Sequence, residues 1–317
     1  MAGFDYVTVG HVTVDVLADA PGDASARRQP GGGAFYSALQ AARLGLRTLI
    51  VTRGVPGEIE ALLEPYRGGL RIQVQVQPAA STTTLLTDSA GPARRQRLLA
   101  WAGPMAPPRD LDAAILHLAP VARETPPTWS GAADFVGLTP QGLVRGWGAD
   151  GELVRAALAQ ELLPARLDAA VLSADELPAC AQLLPRTDGP AAPAPAPAGP
   201  GQATIDGPAA TAPGTAWLGA GDGPVVAVTS GAWPTAIHVP GAAPLRVPVE
   251  PVAEPREDLG AGDVFAAAFF VALYEGQPPA AAGAFANAAA AVRIAGAGPG
   301  AIGARAAVQA HIGDAAG

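Results

Sequence analysis

The sequence predicts an α/β fold built on a largely parallel sheet, and three observations carry that reading. The first is a strand, glycine turn, helix and strand in succession: Tyr6-Val-Thr-Val9 breaks at Gly10, Gly31 to Gly33 open "AFYSALQAARLG", and "RTLIVTRG" follows. The second is the return of short apolar runs, "AAILHLAP", "AAVLS" and "PVVAVTSG", which suit strands buried on both faces. The third is the ending, two alanine-rich helical stretches separated by "GAGPGAIG".

The elements follow in order. After the first strand, Val12-Thr-Val-Asp-Val-Leu17 is a second β-like run that leads into a Pro, Gly and Asp-rich loop. Phe35, Leu39, Ala42 and Leu44 lie near helical spacing, and that helix stops at Gly45. From Leu70 the sequence "LRIQVQVQP" alternates apolar and polar residues, and two β-prone arms flank "DSAGP" as a hairpin with one solvated face. These segments predict a small sheet outside the main core, a lid drawn from 12–33 and 70–103. The α/β rhythm resumes with strands at "AAILHLAP" and "DFVGLTPQG", a helix at "ELVRAALAQELL", the strand "AAVLS" and a helix at "ADELPACAQLL". Residues 185–223 are too rich in proline and too poor in large apolar residues to pack, and read as a disordered insertion in a single domain spanning 1–317.

Composition removes whole classes of function. Nearly half the residues (49%) are apolar and 15% are charged, which predicts a folded chain. A net charge of −8 argues against a general nucleic-acid binder. No apolar run is long enough to span a bilayer, and Met1 to Gly10 lacks a basic and hydrophobic leader, so a cytoplasmic protein with no membrane partner is expected. All 20 basic residues are arginine, which excludes a Walker A lysine and a lysine Schiff base. The four histidines are scattered and the single cysteine, Cys180, has no histidine neighbour, so neither zinc site nor disulfide is expected.

The stretch "EDLGAGDVF" (Glu257 to Phe265) carries the chemistry. Glycines flanking one residue let a loop turn its N–H groups inward, and a helix starting near Asp263 adds positive charge at its N-terminus, so an anion fits there. The same dipole is expected to keep Asp263 ionised, ready to accept a proton from an alcohol. An isolated G-x-G-D is equally compatible with a turn and an N-cap, so this motif alone does not decide.

Four motifs in order resemble the ribokinase-like (PfkB) carbohydrate kinases. Gly260, Ala261, Gly262, Asp263 and Phe265 match D-T-x-G-A-G-D-x-F. "GGGAFYSALQAARLG" matches G-G-x-x-x-N-x-A-x-x-x-x-R-L-G at Ala38, Arg43, Leu44 and Gly45. "VVAVTSG" is similar to V-V-x-V-T-x-G, and "SADE" to N-x-x-E. The resemblance implies a three-layer α/β/α kinase with a small β lid. It makes Asp263 the catalytic base, and gives the N–H groups of Gly260, Ala261 and Gly262 the transferring phosphoryl group. Asp15 would bind substrate hydroxyls, with Gly32 and Gly33 allowing close backbone approach. Thr229 and Gly231 would lie along ATP and Asn287 on its adenine side, while Glu176 would order waters around Mg²⁺. The resemblance also admits a monovalent cation.

The departures are Tyr36 in place of the sugar-binding asparagine, Glu257 and Asp258 in place of Asp-Thr, and Ser173 in place of the asparagine of N-x-x-E. "LTPQGLVRGW" and "RRQRLLAWAGP" are similar to segments of the family's inositol kinase branch. This offers Arg95 and Arg145 as contacts to phosphate or polyol oxygens, with surface arginines as the alternative. The expectation is therefore ATP-dependent phosphorylation of a small sugar or polyol, with a homodimer formed through the lid as a further expectation. A catalytically silent sugar- or nucleotide-binding relative is the alternative. An NAD-binding Rossmann reading fails, because Gly31 to Gly33 does not supply G-x-G-x-x-G.

Overall fold

A computed structural model of the chain describes residues 3–18, 26–88, 95–185 and 223–315. The proline-rich stretch expected to be disordered falls, but for its end residues, outside the described residues. The helices are α1 (Gly33–Arg43), α2 (Pro56–Arg67), α3 (Leu177–Cys180), α4 (Ala261–Tyr274), α5 (Pro279–Ile294) and α6 (Arg305–Ala315).

The main sheet is formed by β1 (Phe4–Val9), β4 (Thr48–Gly54), β5 (Ile72–Pro78), β8 (Leu111–Leu118), β9 (Gly131–Leu138), β12 (Ala169–Ser173), β13 (Val225–Ser230), β14 (Trp233–His238) and β15 (Leu245–Val247). Its order is β15-β14-β13-β12-β9-β8-β1-β4-β5. Pairing is parallel from β5 to β13 and antiparallel across β13, β14 and β15. Side chains alternate cleanly between two cores, as the period of a strand requires. Tyr6, Ile50, Ile115, Phe135, Val171 and Ala227 face α1, α2, α4, α5 and α6. Val7, Val51, Leu116, Leu138, Leu172 and Val228 face the other way, against α3 and the segments around Leu158, Leu162 and Leu183. Helix α4 is buried without interruption from Val264 to Leu273, wedged between α1 and α5. An all-round apolar helix has no stable place other than such an interior.

A second sheet, in the order β3-β2-β6-β7, contains β2 (Thr13–Ala18), β3 (Arg27–Gly31), β6 (Thr84–Asp88) and β7 (Arg95–Ala100). Its outer strand β7 meets the hairpin of β10 (Arg145–Trp147) and β11 (Leu153–Arg155) through a bridge between Arg97 and Glu152. The sheet stands over the carboxyl ends of the main strands, because β1 runs into β2 through only three residues.

Three expectations need correction. The alternating strand "RIQVQVQP" is not in the small sheet; as β5 it closes the edge of the main sheet in register with all seven residues of β4. Edge position explains its pattern, since Ile72, Val74 and Val76 pack on the core while the glutamines alternate with them. The helix expected at "ELVRAALAQELL" is strand β11 followed by one 3₁₀ turn at Gln160–Leu162. Pairing of Leu153–Arg155 with β10 overrides the local helical pattern. The helix expected at "ADELPACAQLL" shortens to α3 and a 3₁₀ turn at Ala181–Leu183.

Candidate active site

Glu257 to Asp263 forms the loop that enters α4. Gly260 adopts φ 78°, a left-handed conformation natural to glycine, and a Cβ there would lie 2.3 Å from the Tyr36 ring. Tyr36 therefore packs directly on the loop backbone. Behind it Arg293, 0% exposed, donates to the carboxylate of Glu257 at 2.9 Å and to the carbonyl of Leu259 at 2.7 Å. Glu257 also accepts from the Gly298 N–H at 3.0 Å. Burial works against its ionisation, but the bond from Gly298 and then Arg293 outweigh it and hold the carboxyl below its ordinary pKa. Glu257, which stands where the resembled motif has aspartate, thus anchors the loop from behind.

In front, a cleft of about 230 Å³ is lined by Asp15, Gly32, Gly33, Tyr36, Arg145, Ser173, Glu176, Thr229, Gly260, Gly262 and Asp263. It lies at the carboxyl ends of β9, β12 and β13, under the small sheet, where open α/β sheets place their ligands. Asp263 stands so close to α1 that a Cβ on Gly33 would come within 2.9 Å of its Oδ1. Its backbone carbonyl accepts from Ser37 Oγ at 3.1 Å. Among the described residues, the first-turn N–H groups of Gly262 and Asp263 meet no carbonyl outside the helix, and the geometry of a helix start leaves them no partner within it. The Ala261 N–H is committed to the carbonyl of Asp258 at 3.0 Å, and Ala261 does not line the cleft, which corrects its place in the expected anion hole.

The electrostatics correct a second expectation. Burial pushes Asp263 up to about 7 in spite of the helix dipole; Arg145 opposes the shift, and Glu176 and Asp15 add to it. Asp15, which accepts from Thr13 Oγ1 at 2.6 Å, is pushed by burial to about 6. Arg145 is the cation among these acids. Burial pulls its pKa down, while Glu176, Asp263, Asp15 and Glu124 hold it up. Its guanidinium donates to Val121 O at 3.3 Å and to Gln96 Oε1 at 3.2 Å.

Glu176 and Ser173 cap each other: Ser173 N donates to Glu176 Oε2 at 2.9 Å and Glu176 N to Ser173 Oγ at 3.3 Å. Serine at this departure therefore still orients the carboxylate toward the cleft. One cleft-facing carboxylate of this kind fits Mg²⁺, which keeps several waters and takes its other ligands from phosphate oxygens. No group of three or more His, Cys, Asp or Glu side chains that could hold a metal occurs among the described residues.

Three expected residues lie elsewhere. Arg95 is exposed on β7, and its neighbour Gln96 faces the cleft instead, as the two-residue period of a strand dictates. Gly231 sits in the exposed β13–β14 turn and does not line the cleft. Asn287 spends its amide on Thr235 Oγ1 at 2.9 Å and the Pro248 carbonyl at 2.8 Å, beside a separate apolar hollow that includes Val247, Ala288 and Ile312. Gln96, Gln141 and Thr139 in the cleft wall, and Glu124 behind it, carry no motif that marks them in the sequence. Glu124, 1% exposed, accepts from the N–H groups of His11, Val121 and Ala122 and so fixes the loop that carries the acceptor of Arg145.

Comparison with known proteins matches residues 209–304 to the pfkB family carbohydrate kinase model. No curated protein matches the chain. Among solved structures, a pyrophosphate-dependent kinase in the ribokinase family, complexed with a pyrophosphate analogue and myo-inositol, is 17% identical with TM-score 0.68, covering 96% of this chain and 99% of that one. Ribokinase from Arabidopsis thaliana, complexed with ribose and ATP, is 19% identical with TM-score 0.65 over 98% and 99% of the two chains. Ribokinase from Cryptococcus neoformans var. grubii serotype A, in complex with ADP, is 17% identical with TM-score 0.63 over 96% of this chain and 99% of that one. At these identities the structural likeness is one of fold. The resemblance to the ribokinase-like (PfkB) family is borne out, and the fold is the ribokinase-like α/β fold.

Proposed function

We propose that this ribokinase-like chain phosphorylates a hydroxyl of a small sugar or polyol of the myo-inositol class, with ATP as donor. The observation that carries the proposal is the pairing of Asp263 with the unpartnered N–H groups of Gly262 and its own backbone, in one cleft with Asp15 and Arg145. Asp263 accepts the proton of the attacking hydroxyl. A pKa near 7 suits a base working at neutral pH. The two N–H groups and the start of α4 face the negative charge of the transferring phosphoryl group, an arrangement worth about 2.7 to 4 kcal/mol per donor in comparable oxyanion sites. Asp15 and Arg145 hold the acceptor, the first taking hydroxyl protons and the second donating to oxygen. Glu176 would hold Mg²⁺ through water, and the ion would offset donor phosphate charge. The small sheet acts as the lid that keeps water from competing with the acceptor.

Pyrophosphate is the second donor to consider. Asn287, expected at the adenine, is already held by Thr235 and Pro248, and the fold is shared with a kinase that uses pyrophosphate. The test is a product-release screen of ribose, fructose, adenosine and myo-inositol, each with MgATP and with magnesium pyrophosphate. Turnover of myo-inositol with ATP is the expected result. Turnover confined to pyrophosphate would replace the donor, and turnover confined to ribose, fructose or adenosine would replace the acceptor.

A further inference from the structure

Below the cleft, a row of three side chains leads from the interior of the sheet to the cavity wall. Tyr6 on β1 and His117 on β8 are fully buried, and Thr139, just beyond β9, is 7% exposed and lines the cleft. Tyr6 Oη lies 3.0 Å from His117 Nδ1, and His117 Nε2 lies 3.1 Å from Thr139 Oγ1. Phe270 meets the imidazole edge-on, with ring centroids 4.9 Å apart, and fixes its plane.

The proton positions follow by elimination. Burial holds His117 down to about 3, so the ring is neutral and has one donor and one acceptor nitrogen. Tyr6 Oη has no other hydrogen-bond partner among the described residues. If it accepted from Nδ1, its own O–H would be buried and unpaired, which native interiors avoid. Tyr6 therefore donates to Nδ1, and the ring proton sits on Nε2 and is donated to Thr139. Thr139 does not spend its hydroxyl on capping the 3₁₀ turn that follows it, Pro140–Val144. Its oxygen is occupied from below, which leaves its O–H to point into the cleft.

We propose that Thr139 is a substrate-contacting hydrogen-bond donor to a hydroxyl oxygen of the acceptor, and that Tyr6 and His117 are positioning residues that fix the direction of its proton. The inference rests on the reading of this cleft as a polyol site. The carboxylates of Asp15 and Asp263 take protons from acceptor hydroxyls, so the lone pairs of those oxygens need donors. Thr139 supplies one beside Arg145.

The test is calorimetric binding of myo-inositol alone and of MgATP alone to the wild type, Thr139→Val, Thr139→Ser, Tyr6→Phe and the Thr139→Val/Tyr6→Phe double variant. ¹⁵N-histidine NMR runs in parallel. We expect Thr139→Val to weaken myo-inositol about tenfold, the size of one lost hydrogen bond, and to leave MgATP unchanged. Thr139→Ser restores binding. Tyr6→Phe weakens myo-inositol although it does not touch the cleft, and adds nothing in the Thr139→Val background. NMR shows His117 protonated on Nε2 in the wild type. An Nδ1-protonated ring, a Tyr6→Phe effect that persists without the Thr139 hydroxyl, or a Thr139→Val effect on MgATP in place of myo-inositol each overturns the proposal. If wild type binds no myo-inositol, the polyol reading fails, and the acceptor contact proposed for Thr139 falls with it. The NMR result then still shows whether Tyr6 sets the ring proton.

Discussion

Asp263 and Arg145 set the pH behaviour of the site together. A base whose pKa is pushed to about 7 must lose its proton before it can work, so kcat/KM should fall on the acid side with a limb near pH 7. Arg145 favours the ionised form of Asp263, so Arg145→Gln should move that limb to higher pH as well as weaken acceptor binding. Glu176→Gln should move it to lower pH, because Glu176 disfavours the ionised form. A pH–rate profile of the three proteins checks both directions. The same shift has a stability consequence. A carboxyl whose folded pKa is raised stabilises the fold below its unfolded pKa, near 4, and that contribution is lost as pH rises through 7. Asp263→Asn should therefore stabilise the protein at pH 8 by about 2 kcal/mol, after discounting about half for solvent screening, and have little effect at pH 4. Thermal unfolding at the two pH values measures this.

At the scale of the element, the loop from Glu257 into α4 couples a backbone shape to a buried ion pair. Gly260→Ala forces a side chain onto a left-handed residue and into the Tyr36 ring, at a cost of about 3 kcal/mol in urea unfolding. Glu257→Gln leaves Arg293 buried with its carbonyl partners but no counter-charge, and should cost about 2 to 3 kcal/mol at neutral pH. Because the Glu257 pKa is lowered, that difference between wild type and variant should persist through the ordinary glutamate range and shrink only as pH falls further, through the lowered folded pKa at which wild-type Glu257 also protonates. The loop itself was legible in the sequence, since its glycines and Asp263 lie within four consecutive positions. Its support was not: Arg293 reaches it from α5, 36 residues beyond Glu257. The same contrast separates Gln96 from Arg95. Strand phase, which the sequence does not set at a short polar edge, decided which of the two faces the cleft.

Across the whole molecule, the site is assembled where nine chain segments converge, and only those with compact motifs could be read in advance. Gly32, Gly33, Glu176 and Thr229 sit in recognisable local patterns at strand ends and helix starts on one side of the main sheet, and Asp15 reaches them from within β2 of the small sheet. Glu124 and Thr139 sit in irregular connections after β8 and β9 and Gln141 in the short 3₁₀ turn beyond, none with a periodicity to mark it. Burial is what gives them meaning, and burial is a property of the assembled sheet. No described helix is long and apolar enough to cross a membrane. In the proposed reaction this cleft transfers a phosphoryl group with Asp263 as base. The most direct measurement is product release from myo-inositol and MgATP at pH 8 by wild type and Asp263→Asn, with myo-inositol binding measured on both. Wild type should turn over, and the variant should lose about a thousandfold in kcat with acceptor binding retained. Near-normal turnover by Asp263→Asn would contradict it.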